Sequence, residues 1–196
     1  MDSKGLSEIQ RIFNDSINLK KEIVADNQLL SVIEKVTNIV VQCFEKEGKV
    51  LLCGNGGSAS DAQHIAAEFT GRFYLDREPF FAEALHVNTS FLTAVANDYS
   101  YSEIYSRSVK AKGKRGDVLI GLSTSGNSEN IVKAFKVAKE LGLITVGLTG
   151  ETGGQMKNAD YLINVPSNDT PRIQETHITI GHIICELVEK KIFTND

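Results

Sequence analysis

His64 and Glu68 stand four residues apart in CGNGGSASDAQHIAAEF, the stretch from Cys53 to Phe69. On a helix this spacing lets an imidazole and a carboxylate converge on one point. Such a pair can supply two ligands to a divalent metal, act as a general base beside its partner, or form a surface ion pair contributing about 0.2–0.5 kcal/mol. Ala62, Ile65, Ala66 and Phe69 fall at i, i+3, i+4 and i+7 on a helix beginning near Ser60, an apolar stripe suited to a sheet. Asp61, His64, Glu68 and Arg72 lie on the other side, so the polar row is separate from the packing row. The glycine-rich elbow in front brings any bound anion within reach of the helix start, which favours chemistry over a surface pair.

Further donors lie in PRIQETHITIGHIICELVEK, where Pro171 suits a first helical position and Gln174, His177 and His182 follow. On a helical wheel His182 is rotated about 80° from Gln174 and His177 about 60° the other way, the two histidines being about 140° apart. Only one of them can readily share a site with Gln174, and periodicity does not choose. Gln174 and His182 are also about 12 Å apart along the axis, so joint ligation needs extended side chains or an irregular first turn. His86 in ALHV reads as structural, and Asn97 and Asp98 in TAVANDYS as a turn or cap.

Two loops of like composition, GNGGSAS after VLLC and STSGNSEN after DVLIGLS, each lead from a strand's carboxyl end to a helix start. Unpaired amides, the positive end of the helix dipole and small hydroxyls suit a phosphate there. Ser123, Thr124, Ser125 and Ser128, clustered around Gly126, make the second loop the better cradle. Neither loop has the GK[ST] of a P-loop or the GxGxxG spacing, which argues against nucleotide binding by those routes.

The elements that must position these groups follow from the pattern. Two amphipathic helices, about Leu6 to Ala25 and Leu29 to Glu47, carry Ile9, Ile12, Phe13, Ile17 and Val32, Val36, Ile39, Val40 and would pack on the core or on another subunit. Apolar runs at 50–53, 117–123, 143–149 and 161–166 suit strands covered on both faces, with a further short strand near Ala82 to His86. Helical segments Asp61 to Thr70 and Ser128 to Leu141 alternate with them. The fold class is therefore α/β, an open parallel sheet whose ligand crevice lies beyond the strands' carboxyl ends.

At 196 residues, with no linker or low-complexity segment, the chain reads as one domain. A net charge of -4 and 23% charged residues leave no basic face for nucleic acid or anionic membrane. No run approaches the roughly 18 apolar residues of a membrane span, and MDSKGLSEIQ lacks a secretory layout, so a cytoplasmic location is expected. Cys43, Cys53 and Cys185 are odd in number and far apart, and read as reduced core cysteines.

Taken together, GNGGSASDAQHIAAE, VANDY, GLSTSGNS, LTGETGG and PRIQETHITIGH resemble the phosphoheptose isomerases of the sugar isomerase (SIS) fold, from about Leu6 to Phe193. The resemblance implies an SIS-type sheet flanked by helices on both faces, preceded by two N-terminal helices over 1–47. It implies interconversion of D-sedoheptulose 7-phosphate and D-glycero-D-manno-heptose 7-phosphate, the first step toward ADP- or GDP-heptose for bacterial surface polysaccharides such as lipopolysaccharide. It also implies a homotetramer with sites between subunits and one zinc ion per subunit. The implied substrate contacts are Asn55, Gly56, Gly57, Glu68, Asn97, Asp98, Ser123, Thr124, Ser125, Ser128 and Gln174. The implied metal ligands are His64, Glu68, Gln174 and His182, which selects His182 over His177. An enediol route needs a base for a carbon-bound proton and an acid at the oxygens; Glu68 and His182 take these roles. Some members carry an acid where this chain has Thr170, with Asp169 beside it. A sister group resembling these enzymes is non-catalytic and binds the replication initiator protein, but tends to lack the base and acid present here.

Overall fold

A computed structural model describes residues 3–194. Five parallel strands, β1 (Val50–Gly54), β2 (Ala82–Ala84), β3 (Val118–Ser123), β4 (Ile144–Thr149) and β5 (Tyr161–Asn164), form one sheet in the order β2-β1-β3-β4-β5. Seven α-helices accompany it: α1 (Ser3–Ala25), α2 (Asn27–Glu45), α3 (Gly57–Thr70), α4 (Thr89–Asp98), α5 (Ile104–Lys112), α6 (Glu129–Leu141) and α7 (Thr170–Phe193).

Alternation along the strands divides the core into two layers, because successive side chains leave opposite faces of a sheet. Val50 and Leu52 of β1 pack with α2, α3 and α7 through residues such as Val36, Val40, Phe69, Ile180 and Ile184. Leu51 and Cys53 pack on the other face with Tyr105, Val109, Ile131 and Phe135 of α5 and α6. Every residue of β1 and β3 is buried, as expected of continuous apolar runs covered on both sides. The three cysteines are free and buried.

The chain passes from β1 to β2 on one side and then to β3 on the other, so the order in which strands are added reverses between β1 and β3. At such a switch point the two following loops splay apart and open a crevice. Register pairs Gly54 with Leu122, which sets the GNGGSAS and STSGNS loops side by side at that edge.

Four strands lie where the apolar runs place them and β2 stops at Ala84, short of His86, but several helices differ. The elbow helix starts at Gly57 rather than near Ser60, because Gly56 at φ 54 turns the chain at once into the helix. Residues of α4 and α5 gave no clean apolar stripe: Val95 is the buried residue of α4, and Ser106 and Ser108 occupy buried positions on α5. Asn97 and Asp98 are consequently the last residues of a helix, not a free turn. Asp26 caps α2 by accepting from the Gln28 and Leu29 amides at 2.9 and 3.0 Å. On α1 Leu19 and Ile23 reach the core, whereas Ile9, Ile12, Phe13 and Ile17 remain 42–67% exposed.

Candidate active site

Docking of α3 through Ala62, Ile65, Ala66 and Phe69 turns His64 and Glu68 outward, and α7 lies against the same helix. His64 Nε2 lies 2.9 Å from Glu68 Oε1 and 3.2 Å from His182 Nε2. One ligand atom from each of the three residues falls within 4.8 Å of the others. Four ligands set tetrahedrally around a zinc ion at about 2.0–2.1 Å stand roughly 3.3 Å apart, so the three donors fit a shared cation.

The two histidines of α7 have opposite fates. His182 is half-buried with its ring 5.0 Å from that of His64 and 5.6 Å from that of Phe73. His177 is fully buried and donates from Nε2 to the Thr149 carbonyl at 3.2 Å. Burial pulls the His177 pKa down to about 4, so the ring is neutral at physiological pH and belongs to the core. Gln174 does not join the three-residue group by any hydrogen bond among the described residues. Its amide lies over the start of α3, where a Cβ on Gly57 would come within 2.8 Å of Nε2.

Asp61, in the polar row of α3, has its Oδ2 buried without a hydrogen-bond partner among the described residues. Burial raises the Asp61 pKa, and the charges of His64 and His182 act to lower it. Arg72 is exposed beyond the end of α3. His86 is half-buried in the turn after β2, its pKa lowered by burial, and stands apart from this group.

The second loop forms a separate polar cluster at the carboxyl edge of the sheet. Ser123 Oγ lies 2.9 Å from Ser128 Oγ and 3.5 Å from Ser125 Oγ, and Ser125 Oγ accepts from the Asn127 amide at 3.2 Å. Gly126, at φ 65, sits against the Gly153 carbonyl where a Cβ would have no room, so the STSGNS and GETGG loops nest together. Between them and the start of α7 is a cavity of about 280 Å³ lined by Thr124, Ser125, Asn127, Glu151, Thr152, Ser167, Asn168, Thr170 and Ile173. Hydroxyls and amides supply most of its polar lining, and no lysine or arginine is among these residues. Asn97 and Asp98 bond to each other at 3.0 Å and are exposed at the end of α4.

A support that sequence reading missed lies behind the histidines. The buried Glu189 carboxylate accepts from the Phe73, Tyr74 and Leu75 amides at 2.9, 2.9 and 3.0 Å and from Arg77 Nε at 2.8 Å. Arg77 in turn donates to the Glu68 and Phe69 carbonyls, both at 3.0 Å, satisfying orphan acceptors at the end of α3. This clamp fixes the segment that lays Phe73 against His182. A lone Arg and a lone Glu, 112 residues apart, carry no sequence signal of it.

Comparison with known proteins agrees with the geometry. The model of the SIS domain matches residues 6–150. The phosphoheptose isomerase of Clostridium acetobutylicum is 56% identical over 186 residues, covering 94% of this chain and 95% of that protein. That of Aneurinibacillus thermoaerophilus is 55% identical over 188 residues, 95% of each chain. The structure of phosphoheptose isomerase from Neisseria gonorrhoeae superposes with a TM-score of 0.88 at 41% identity, covering 94% of this chain and 98% of that one. The chain belongs to the SIS domain family of α/β proteins. Within that family its full-length relatives are phosphoheptose isomerases, and it is an isomerase.

Proposed function

We propose that the protein interconverts D-sedoheptulose 7-phosphate and D-glycero-D-manno-heptose 7-phosphate through an enediol. The observation that carries this reading is the convergence of His64, Glu68 and His182 on one point, in a chain that also carries a hydroxyl-lined cavity beside the loop after β3. A sugar phosphate needs both parts, an anion cradle at one end and a base and acid at the other. Ser123, Thr124, Ser125 and Ser128 hold the phosphate. Asn55, Gly56, Gly57, Asn97, Asp98 and Gln174 bind the sugar. Glu68 moves the proton between C1 and C2, while His182 serves the oxygens as acid. Binding at the remote phosphate positions the reacting carbons.

His64, Glu68 and His182, with Gln174 as the fourth ligand, are the residues that would hold one Zn²⁺ per subunit. A bound zinc ion would polarise the carbonyl and stabilise negative charge on oxygen. Turnover of sedoheptulose 7-phosphate by the purified protein, its loss to a chelator and its return with zinc test this reading. Absence of turnover with zinc supplied, together with tight binding to an initiator protein, would replace it by the non-catalytic regulator. If the serine loop binds phosphate equally in ground and transition states, Ser125→Ala raises KM about tenfold and changes kcat less, because one hydrogen bond to a charged group is lost. An unchanged KM would remove Ser125 from the cradle.

The working form is a homotetramer with sites completed between subunits. His64 and Glu68 line a broad, open depression of about 530 Å³ that this chain does not close. The exposed stripe of Ile9, Ile12, Phe13 and Ile17 on α1 continues into a groove ending at Arg172 and Glu175, an apolar surface suited to another subunit. Light scattering should give four times the chain mass, and Phe13→Glu should lower it. A tetramer unchanged by that charge would place the interface elsewhere. The product serves heptose precursors of surface polysaccharide, made in the cytoplasm.

A further inference from the structure

Asn55 follows β1 at the crevice, and its amide is not free to choose an orientation. Its Nδ2 donates to Asn130 Oδ1 at 3.0 Å, and Asn130 Nδ2 donates back to Asn55 Oδ1 at 2.9 Å. Tyr101 donates its hydroxyl to the same Asn55 oxygen at 3.1 Å. Asn130 is 3% exposed on the first turn of α6, directly after the STSGNS loop, so the pair ties the loop after β1 to the helix behind the serine cradle.

An amide oxygen has two lone pairs and an amide nitrogen two hydrogens. Asn130 and Tyr101 occupy both acceptor positions of Asn55 Oδ1. One Asn55 N–H is occupied by Asn130, and the other has no hydrogen-bond partner among the described residues. Rotating the amide by 180° would set its oxygen against Asn130 Oδ1 and its nitrogen against Asn130 Nδ2, replacing two bonds by two repulsions unless Asn130 turned as well. A joint turn would leave the Tyr101 hydroxyl accepting from Asn55 Nδ2, so that its own hydrogen loses the Asn55 oxygen as acceptor.

We propose that Asn130 and Tyr101 are positioning residues that lock Asn55 as a hydrogen-bond donor toward a substrate oxygen, a hydroxyl or carbonyl of the sugar. The proposal deepens the phosphosugar reading above and rests on it. It also explains why an asparagine is buried at the start of α6: both its oxygen and its nitrogen bond the Asn55 amide in the neighbouring loop.

The test is a double-mutant cycle in the zinc-loaded full-length protein. Asn130→Asp faces Asn55 Oδ1 with a second acceptor and should lower kcat/KM for sedoheptulose 7-phosphate about tenfold, while Tyr101→Phe should lower it about threefold. In an Asn55→Ala background, Asn130→Asp should cause no further loss beyond twofold, whatever it does to thermal stability. A purely structural role for Asn130 would give the same loss in both backgrounds, which overturns the proposal, as does a folded Asn130→Asp protein with wild-type kcat/KM. Wild-type turnover separates the two levels: an active wild type with no coupling rejects the lock alone. Should the wild type neither bind nor convert the sugar phosphate, the functional reading falls. The orientation is then decided by NMR exchange of the Asn55 side-chain amide. One protected and one exchanging hydrogen support the lock; equal exchange of both rejects it.

Discussion

Glu68→Gln is expected to remove most isomerisation, lowering kcat by about 10²–10⁴ while KM changes little, because general base catalysis contributes on that order and nothing nearby can substitute. Glutamine keeps the length and shape of the side chain but its amide takes up no proton at neutral pH. Asp61 is two helical turns away from Glu68 on α3 and does not reach, and the His64 and His182 nitrogens point at each other across 3.2 Å. The side chain of Glu68 is 25% exposed and its partner His64 50%, so the 2.9 Å contact between them contributes little to folding and the variant should melt within about 1 kcal/mol of the wild type. Zinc content measured on the same sample separates the two duties of Glu68. Retained zinc with lost turnover assigns the loss to proton transfer. Zinc lost together with turnover assigns it to ligation, and full turnover rejects Glu68 as the base. A glutamate bound to zinc is a weaker base, so its release from the metal during the reaction would be needed if both duties hold.

The sequence was legible wherever a local pattern carried the information. Apolar runs marked four of the strands, the short β2 was expected near Ala82 to His86, and the i, i+3, i+4, i+7 spacing of Ala62, Ile65, Ala66 and Phe69 predicted which face of α3 is buried. The wheel positions of His177 and His182 showed that both could not share a site with Gln174, but not which one could. That choice depends on how α7 is rotated against the sheet, where His177 meets the Thr149 carbonyl and His182 meets α3. The helices α4 and α5 were illegible because their buried positions include Ser106 and Ser108, which carry no apolar signal. Long-range polar pairing was illegible for a deeper reason. Asn55 with Asn130, and Arg77 with Glu189, are 75 and 112 residues apart and belong to no motif. Only the fold brings them together. The α1 stripe marks the opposite limit: its pattern says apolar contact, but the choice between core and partner is made by where the helix sits, and Ile9, Ile12 and Phe13 sit outside.

Glu189→Ala should be the most destabilising single change around the site, costing about 3–5 kcal/mol, because removing one member of a buried ion pair leaves the other charge unpaired. Both side chains of the Arg77–Glu189 pair are 2% exposed. The variant also strands the amides of Phe73, Tyr74 and Leu75, which have no alternative acceptor in the hydrogen bonds of the segment. For a chain of this length each kcal/mol shifts Tm by about 2–4 °C, so a fall of about 6–20 °C is expected in calorimetry. The pH dependence has a definite sign. Burial raises the Glu189 pKa, but the Phe73, Leu75 and Tyr74 amides and Arg77 outweigh it and hold the carboxyl below its ordinary value of 4.5. Between the ordinary and the lowered value the unfolded chain binds more protons than the folded one, so this contribution is complete above about pH 5 and is lost as pH falls through that window. Glu189→Gln cannot titrate, and should remove this part of the acid loss of stability while being less stable than wild type at pH 7. The damage should also reach the site. Arg77 would no longer be held over the Glu68 and Phe69 carbonyls, and the segment carrying Phe73 would leave the His182 ring. Below its own Tm, therefore, Glu189→Ala should bind zinc more weakly than wild type. A variant with unchanged Tm, or one destabilised but with unaltered zinc affinity, would separate the clamp from the histidines it backs.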